Sequence, residues 1–430
     1  MKRLSLLLVV LLLGALALVA CGGGGAPAAP AATSAPAQEE AAPPAQEEAA
    51  APSDALTCDD AIGCVEVAAG DPIQIASALV ISGPNTDLGL DSQRGVELAI
   101  QMYGDVLGHS VTLMAEDEGC SAEGGQTAAS KIVANPQVVG AIATSCSGAG
   151  VPFSQAASDA GLVTISPSNT SPALTDPAEA WHPGYFRTAH NDLVQGAAMA
   201  DWAYDVKGFR RAVGIHDGDP YTEGLVRAFA DAFTAKGGEM VGIEASTADA
   251  TDVAPLLTSV AAAKPDFIYL PVFIPLGSLI VNTAKTIPGL EGVQLAAADG
   301  VQSPSFLENV VGTGEGMVAS GPDLAFSNTF YNDTFVPAYE AAYGTKPTAP
   351  FHAHAFDATN ILLDAIKKVA KQDAEGNLLI GRQALRDAVA ATSGFQGITG
   401  TLTCSQYGDC ADAKISVSEI QNGEYVRIWP

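Results

Sequence analysis

Small hydroxyl residues gather just past two short apolar runs, and their types suit the capture of a small anion. Val138 to Ala143 is followed by Thr144, Ser145 and Ser147, and Leu162 to Ile165 by Ser166, Ser168 and Thr170. Hydroxyls beside the unpaired backbone N–H groups of a helix start bind carboxylate or phosphate oxygens. Gly148 and Gly150 next to Ser147 would let such N–H groups come close to a bound anion. The plainer reading, that these residues form ordinary strand-to-helix turns, is equally compatible with the spacing. For catalysis, the chain holds no GxSxG, HExxH or GxxxxGK[ST] segment.

The elements around these residues alternate. Val138–Ala143, a helical pattern and Leu162–Ile165 make a strand, a crossover helix and a parallel strand. Before them come a strand at Ile73–Ile81, a helix carrying Val96, Leu98, Ala99 and Ile100, a strand at Val111–Ala115 and a helix at Gln126–Ala134. After a helix at Asp192–Tyr204 a second series follows. Its strands are expected at Ala212–His216, Met240–Ile243, Phe267–Leu270 and Gln294–Ala298, with helices at Glu223–Lys236, Val253–Ala263 and Leu276–Ala284. Helices near Asn328–Tyr343, Phe351–Val369 and Arg382–Ala391 precede a β-rich tail, Ile398–Trp429. Two such series predict an α/β protein of two doubly wound, Rossmann-like lobes rather than one barrel. The late helices need a sheet to cover, so the chain is expected to return to the first lobe.

Composition narrows the function. The 430 residues carry 48 Asp plus Glu against 20 Lys plus Arg, a formal charge of −28. Such a surface repels phosphate backbones and anionic headgroups, which argues against nucleic-acid binding. Lys2 and Arg3 precede an apolar run, Leu4–Ala20, as in an export signal. The run is also long enough for a retained membrane helix, but it ends in Leu18-Val19-Ala20-Cys21 followed by glycines. That ending resembles a lipobox, which would make Cys21 a lipidated N-terminus and residues 1–20 a signal peptide. Residues 21–57 are rich in Ala, Pro, Gln and Glu and read as a disordered tether. With Cys21 set aside, six cysteines remain, an even number in an exported chain. Cys58 with Cys64 and Cys404 with Cys410 are spaced to close small loops, which leaves Cys120 with Cys146. The rival reading, a zinc site, lacks any CxxC pair.

Several segments in order carry a family resemblance: Ile81-Ser82-Gly83-Pro84, Thr144-Ser145-Cys146-Ser147, Ile165-Ser166-Pro167-Ser168-Asn169-Thr170 and Tyr185-Phe186-Arg187-Thr188. His216-Asp217, Tyr221-Thr222-Glu223-Gly224 and Ala298-Asp299-Gly300 continue the set. From about Ile73 to the C-terminus the chain resembles the leucine/isoleucine/valine-binding proteins of ABC importers, periplasmic binding proteins of type I. The resemblance implies a hinged receptor, with residues 58–190 and 322–403 in one lobe and 191–321 and 404–430 in the other. It also implies a disulfide at Cys120–Cys146. By the same resemblance Ser147 would hold a ligand's α-carboxylate, with Ser145 beside it. Ser168 and Thr170, flanking Asn169, would meet its α-ammonium, and Asp299 would pair with that charge. Tyr221, Phe273 and Phe351 would supply aromatic walls. The implied partners are an amino acid, an ABC permease and, through Cys21, a membrane; the protein would be an extracytoplasmic monomer with no cofactor, no metal and no catalysed reaction.

Departures and rivals bear on the ligand. Leu88 stands where the family often has an aromatic, Asp299 is one methylene shorter than the common Glu, and Pro271 and Pro275 flank Phe273. Taken singly, Tyr221 reads as a packed helix-start aromatic and Asp299 as a turn residue. His352-Ala353-His354 suggests a metal only weakly, since residues two apart on a helix diverge. Asp217-Gly218-Asp219 begins like a calcium loop but lacks the later glycine and glutamate. Two other readings stay open: a receptor of the same fold for amides, urea or small aromatic or carboxylic acids, and an exported hydrolase using Ser147.

Overall fold

The computed structural model describes residues 56–430. The expected signal peptide, Cys21 and all but the end of the expected tether lie outside the described residues. The chain runs β1 (Cys64–Val67), β2 (Ile73–Leu79), α1 (Thr86–Tyr103), β3 (Val111–Asp117), α2 (Ala122–Val133), β4 (Val138–Ala143), α3 (Ser147–Asp159), β5 (Val163–Ser166) and β6 (Tyr185–Arg187). There follow α4 (Asp192–Asp201), β7 (Arg211–His216), α5 (Pro220–Ala235), β8 (Glu239–Ala245), α6 (Ala254–Ala262), β9 (Phe267–Tyr269), α7 (Ile274–Ala284), β10 (Gln294–Ala297), α8 (Pro304–Asn309) and β11 (Val318–Pro322). The last part holds α9 (Val336–Tyr343), α10 (His352–Val369), β12 (Lys371–Gln372), β13 (Leu378–Gly381), α11 (Arg382–Ala390), β14 (Phe395–Gln396), β15 (Thr401–Leu402), β16 (Ile415–Gln421) and β17 (Glu424–Trp429).

Two sheets organise these elements. The first has the order β3-β2-β4-β5-β6, all parallel. Alternation along its strands separates two cores. Ile73, Ile75 and Leu79 of β2 face the helices α1 and α10 with Leu362 and Ile366. Ala76 and Ala78 face α2 and α3 with Ile132 and Phe153. Small side chains on that second face admit close helix packing: a Cβ on Gly125 of α2 would stand 2.3 Å from the Ala149 carbonyl oxygen of α3. The second sheet has the order β17-β16-β11-β10-β9-β7-β8, with β16 and β17 antiparallel at one edge. Phe267 and Tyr269 of β9 point to Trp202, Phe229 and Phe233 on one side, while Ile268 packs with Leu257 and Ile280 on the other.

Chain order against sheet order shows why parallel sheets require crossovers here. Strands β2 to β6 lie in the first sheet and β7 to β11 in the second; α10 then packs back on α1, β4 and β5, and β16 rejoins the second sheet. The architecture is that of two doubly wound α/β lobes, as the alternating pattern predicts. The spacing-based cysteine pairs form: Cys58–Cys64, Cys120–Cys146 and Cys404–Cys410.

Some expectations need adjustment. The helix expected at Asp192–Tyr204 ends at Asp201 and loosens into a π turn, Trp202–Val206, where the Lys207 N–H donates to the Trp202 carbonyl five residues back. The helix expected from Asn328 likewise begins with a π turn, Tyr331–Phe335. Strand β1 has no counterpart in the sequence reading, because it pairs with β13, Cys64 opposite Gly381, far along the chain. The β-rich tail reduces to β16 and β17 after the two-residue β15.

The Cys120–Cys146 link closes a segment of sequence separation 26 and packs in a cluster with Val80, Leu88 and Phe273. Replacing both cysteines by Ala is expected to lower unfolding free energy by about 3–4 kcal/mol through the entropy of the freed loop. Urea unfolding of the two chains, without reductant, measures the difference.

Candidate functional site

Strand ends and helix starts of both lobes converge on one cleft. The first lobe contributes Leu88 from the first turn of α1, Ser145 and Ser147 around the start of α3, Ser168 after β5, and Phe351 just before α10. The second contributes Tyr221 from the first turn of α5, Phe273 preceding α7, and Asp299 with Gly300 in the turn after β10. Both sets stand beyond the carboxyl ends of parallel strands, where open α/β sheets bind ligands. The space left between them is about 20 Å³, room for about one water molecule. A larger guest can enter only if the walls move apart.

The polar floor is tied across three strand ends. The Ser145 hydroxyl accepts the Val80 N–H at 3.1 Å, and the Ser145 carbonyl accepts the Ser168 hydroxyl at 3.1 Å. The Ser147 hydroxyl oxygen accepts the Ser171 N–H at 3.3 Å. Opposite them, Tyr221 and Phe273 pack at a ring separation of 5.3 Å. The Tyr221 hydroxyl oxygen accepts the Gly300 N–H at 3.2 Å. Phe351 stacks on His190 at 6.2 Å. Apolar walls with a few convergent polar groups are the usual construction of a small-molecule site.

Asp299 is the charged group of this wall. Its carboxylate accepts Gln195 Nε2–H at 2.7 Å, and the same amide donates to the Ser320 hydroxyl at 3.0 Å and carbonyl at 3.2 Å. Because the Gln195 nitrogen is so committed, its oxygen is the acceptor toward His190 Nε2, which must carry the proton. Burial holds that imidazole neutral, its pKa lowered to about 4. Burial also pushes the Asp299 carboxyl up to about 6, against the opposing pull of the Gln195 hydrogen bond.

Sequence reasoning missed two further buried carboxylates, Asp192 and Glu118, and the part played by a third, half-buried one, Asp219. Asp192, at the start of α4, has neither oxygen hydrogen-bonded. Burial first, and then the Asp299 charge, raise its pKa well above the usual carboxylate range; the nearby Thr170 hydroxyl works weakly the other way. Glu118, pushed up by burial, accepts the Cys146 N–H at 3.4 Å. Asp219 caps α5 by accepting the Tyr221 N–H at 2.8 Å, and burial raises it to about 7. Asp192 and Glu118 read in the sequence as an ordinary first-turn residue and an ordinary strand end. Only their shared burial sets them apart.

Two residues expected at the ligand do not line the cleft. Asn169 is fully buried and occupied: its side-chain oxygen accepts from the Thr144 and Tyr185 hydroxyls and its nitrogen donates to the Thr144 carbonyl. It locks β4 to β5 and β6. Thr170 lies behind the wall beside Asp192, its hydroxyl unpartnered. The weaker motifs also resolve. Asp217 accepts from Thr222 at 2.6 Å and from the Asp219 N–H at 3.1 Å, shaping the turn into α5. His352 engages Asp91 at 2.8 Å and Tyr331 at 2.9 Å, while His354 packs against the ring of Phe351. A larger recess of about 530 Å³ touches the segments joining the lobes. Its charged side chains are already matched, Lys414 with Asp412 and Asp323 with Arg427.

A two-lobed α/β receptor with a cleft at its strand ends is a binding architecture, and the comparisons agree. Residues 72–424 match the family model described as periplasmic binding protein, and the chain belongs to that family. Among its relatives are leucine/isoleucine/valine binders. The chain is 25% identical over 357 residues to a leucine-, isoleucine-, valine-, threonine- and alanine-binding protein of Pseudomonas aeruginosa, covering 82% of this chain and 90% of that one. It is 28% identical to the Leu/Ile/Val-binding protein of Escherichia coli K12, over 60% of this chain and 71% of the relative. A solved leucine-binding protein from Thermotoga maritima superposes with a TM-score of 0.74 at 25% identity, covering 83% of this chain and 97% of that one.

The unpartnered Asp192 has a measurable consequence for the ligand-free protein. A carboxyl whose pKa is raised in the folded state supports folding while protonated and loses that support as pH rises. Asp192→Asn is therefore expected to melt above the native chain at pH 8, with the gap shrinking toward pH 4. Thermal unfolding at the two pH values checks it.

Proposed function

We propose that this protein captures an aliphatic amino acid between its lobes and hands it to an ABC permease, catalysing no reaction. The observation that carries the reading is the polarity of the cleft. Ser147 and those N–H groups at the start of α3 that Asp219 does not take offer donors on one side. Asp299 and, behind it, Asp192 offer negative charge on the other. A zwitterion matches both ends, and an ammonium group is the partner that two buried, under-solvated carboxylates lack. Leu88, Phe273 and Phe351 leave an apolar surface for its side chain. The relatives that bind leucine, isoleucine and valine support the same ligand class.

Residues 58–190 with 322–403 and residues 191–321 with 404–430 act in this reading as two units that part and close. Ser145 and Ser147 serve the carboxylate side, Asp299 and Ser168 the ammonium side, and Tyr221, Phe273 and Phe351 the walls. The chain works outside the cytoplasm, secured by a lipid on Cys21 and a tether up to residue 57, as a monomer. Mass spectrometry of membrane-extracted protein is expected to find diacylglycerol on Cys21, and Cys21→Ser to release the protein from membranes.

Binding to the folded state alone raises the melting temperature with ligand concentration. Leucine, isoleucine or valine is expected to raise it, whereas leucinamide and 4-methylpentanoate, each lacking one charged end, are not. A shift from 4-methylpentanoate equal to that from leucine would refute the ammonium contact. Asp299→Asn is expected to weaken leucine binding by about 100-fold, the effect of leaving a buried ammonium without its counter-charge. The sign of the pH effect follows from the same group. An ammonium lowers the Asp299 pKa from about 6 in the ligand-free site. Affinity is thus fully present above that value and falls as pH drops through it, by up to about tenfold per unit. Calorimetry between pH 8 and pH 5 measures the slope.

A further inference from the structure

Two aspartates reach across the cleft, each to a helix start on the opposite lobe. Asp87, in the first turn of α1, accepts the Ser305 N–H of α8 at 3.0 Å. Asp219, the capping residue of α5, turns its second oxygen toward Gly148 in the first turn of α3 and draws on the Gly148 N–H. Helix starts present N–H groups with no partner inside the helix, and a carboxylate there is favourable both as acceptor and as counter-charge to the helix dipole. Gly148 shows how close the Asp219 contact is. A Cβ at that position would lie 2.1 Å from Asp219 Oδ2, and its three nearest atoms outside the helix all belong to Asp219.

From this geometry we propose that Asp219 and Asp87 are reciprocal interlobe clasps, each capping a helix of the other lobe only when the cleft is shut, and that they set how long a ligand is held. The proposal rests on the reading that the lobes part and close over an amino acid. Asp219 is the stronger of the two because its carboxylate is already held in place by the Tyr221 N–H, so less freedom is lost when it meets Gly148; both side chains are half-buried. Asp87 stands at the half-buried rim, beside the turn at Gly83 and Pro84. Neither side chain needs to touch the ligand. Both are positioning residues whose loss acts on release rather than on capture, the usual pattern when a contact forms after encounter.

Gly148 makes the clasp testable, because the three atoms a methyl group there would meet first outside the helix all belong to Asp219. In the parted state it is free; in the shut state it collides. Stopped-flow leucine binding and release, with melting curves of the ligand-free chains, form the experiment. Asp219→Asn keeps the cap on Tyr221 but cannot accept the Gly148 N–H through its amide nitrogen. It is expected to raise the release rate about 10-fold with capture within about twofold, and Asp87→Asn to do the same by about threefold. Gly148→Ala is expected to weaken affinity by 100-fold or more without lowering the ligand-free melting temperature. Gly148→Ala combined with Asp219→Ala is expected to bind as well as Asp219→Ala alone, because the obstacle is gone. Wild-type affinity in Gly148→Ala, or a double variant no better than Gly148→Ala, overturns the clasp. If leucine fails to bind the native chain, the ligand class falls and the clasp is read from hydrogen exchange instead. Faster exchange at residues 145–150 and 217–222 in Gly148→Ala, restored in the double variant, then supports it, and equal exchange in all chains overturns it.

Discussion

Burying like charge near like charge is the constraint that governs this molecule. Asp299, Asp192, Asp219 and Glu118 are all withdrawn from water around one cleft, and each has its pKa raised chiefly by that withdrawal. In so acidic a protein nothing about net charge requires this, since exposed carboxylates interact weakly. The arrangement persists because the surrounding fold over-determines it. Gln195 is pinned by Ser320 and His190, Asp219 is pinned as a helix cap, and Glu118 lies against the backbone of Cys146. Scaffold and site are thus connected link by link, from sheet order to helix start to carboxylate.

Arg187 shows the same economy at the junction of the lobes. Its guanidinium donates to the Asn169 and Ser171 carbonyls and to Thr175, and it forms an ion pair with Asp409 at 2.6 Å. One fully buried cation therefore fastens the segment behind the cleft to the returning C-terminal chain. Asn169 completes that fastening from within the first lobe, which explains why its side chain has no capacity left for a guest.

The sequence made the architecture readable because strand period, small turn residues and helix faces all agree in both series. Ser145, Ser147, Ser168, Tyr221, Phe273, Asp299 and Phe351, named from the family resemblance, meet at one cavity. The errors have local causes. Ser168 and Asn169 are neighbours pointing in different directions, and a motif cannot say which of the two reaches the gap. Asp192 and Gln195 go unnoticed in the sequence, and Asp219 reads there only as part of an incomplete calcium loop, because their significance lies in distant partners, such as Asp299, Ser320 and Gly148, that only tertiary packing supplies. Strand β1 escaped for the same reason, its partner being at the other end of the chain.

The near-absence of space in the shut cleft has a consequence for signalling. A receptor that folds its halves together with nothing inside would look, to any partner reading its outline, the same as one carrying cargo. In the proposed reading, the cost of burying those acids without a counter-charge opposes that impostor shape, and the ammonium of an incoming amino acid removes the opposition. On that reading, fidelity of delivery rests on the same electrostatic discomfort that would select the guest.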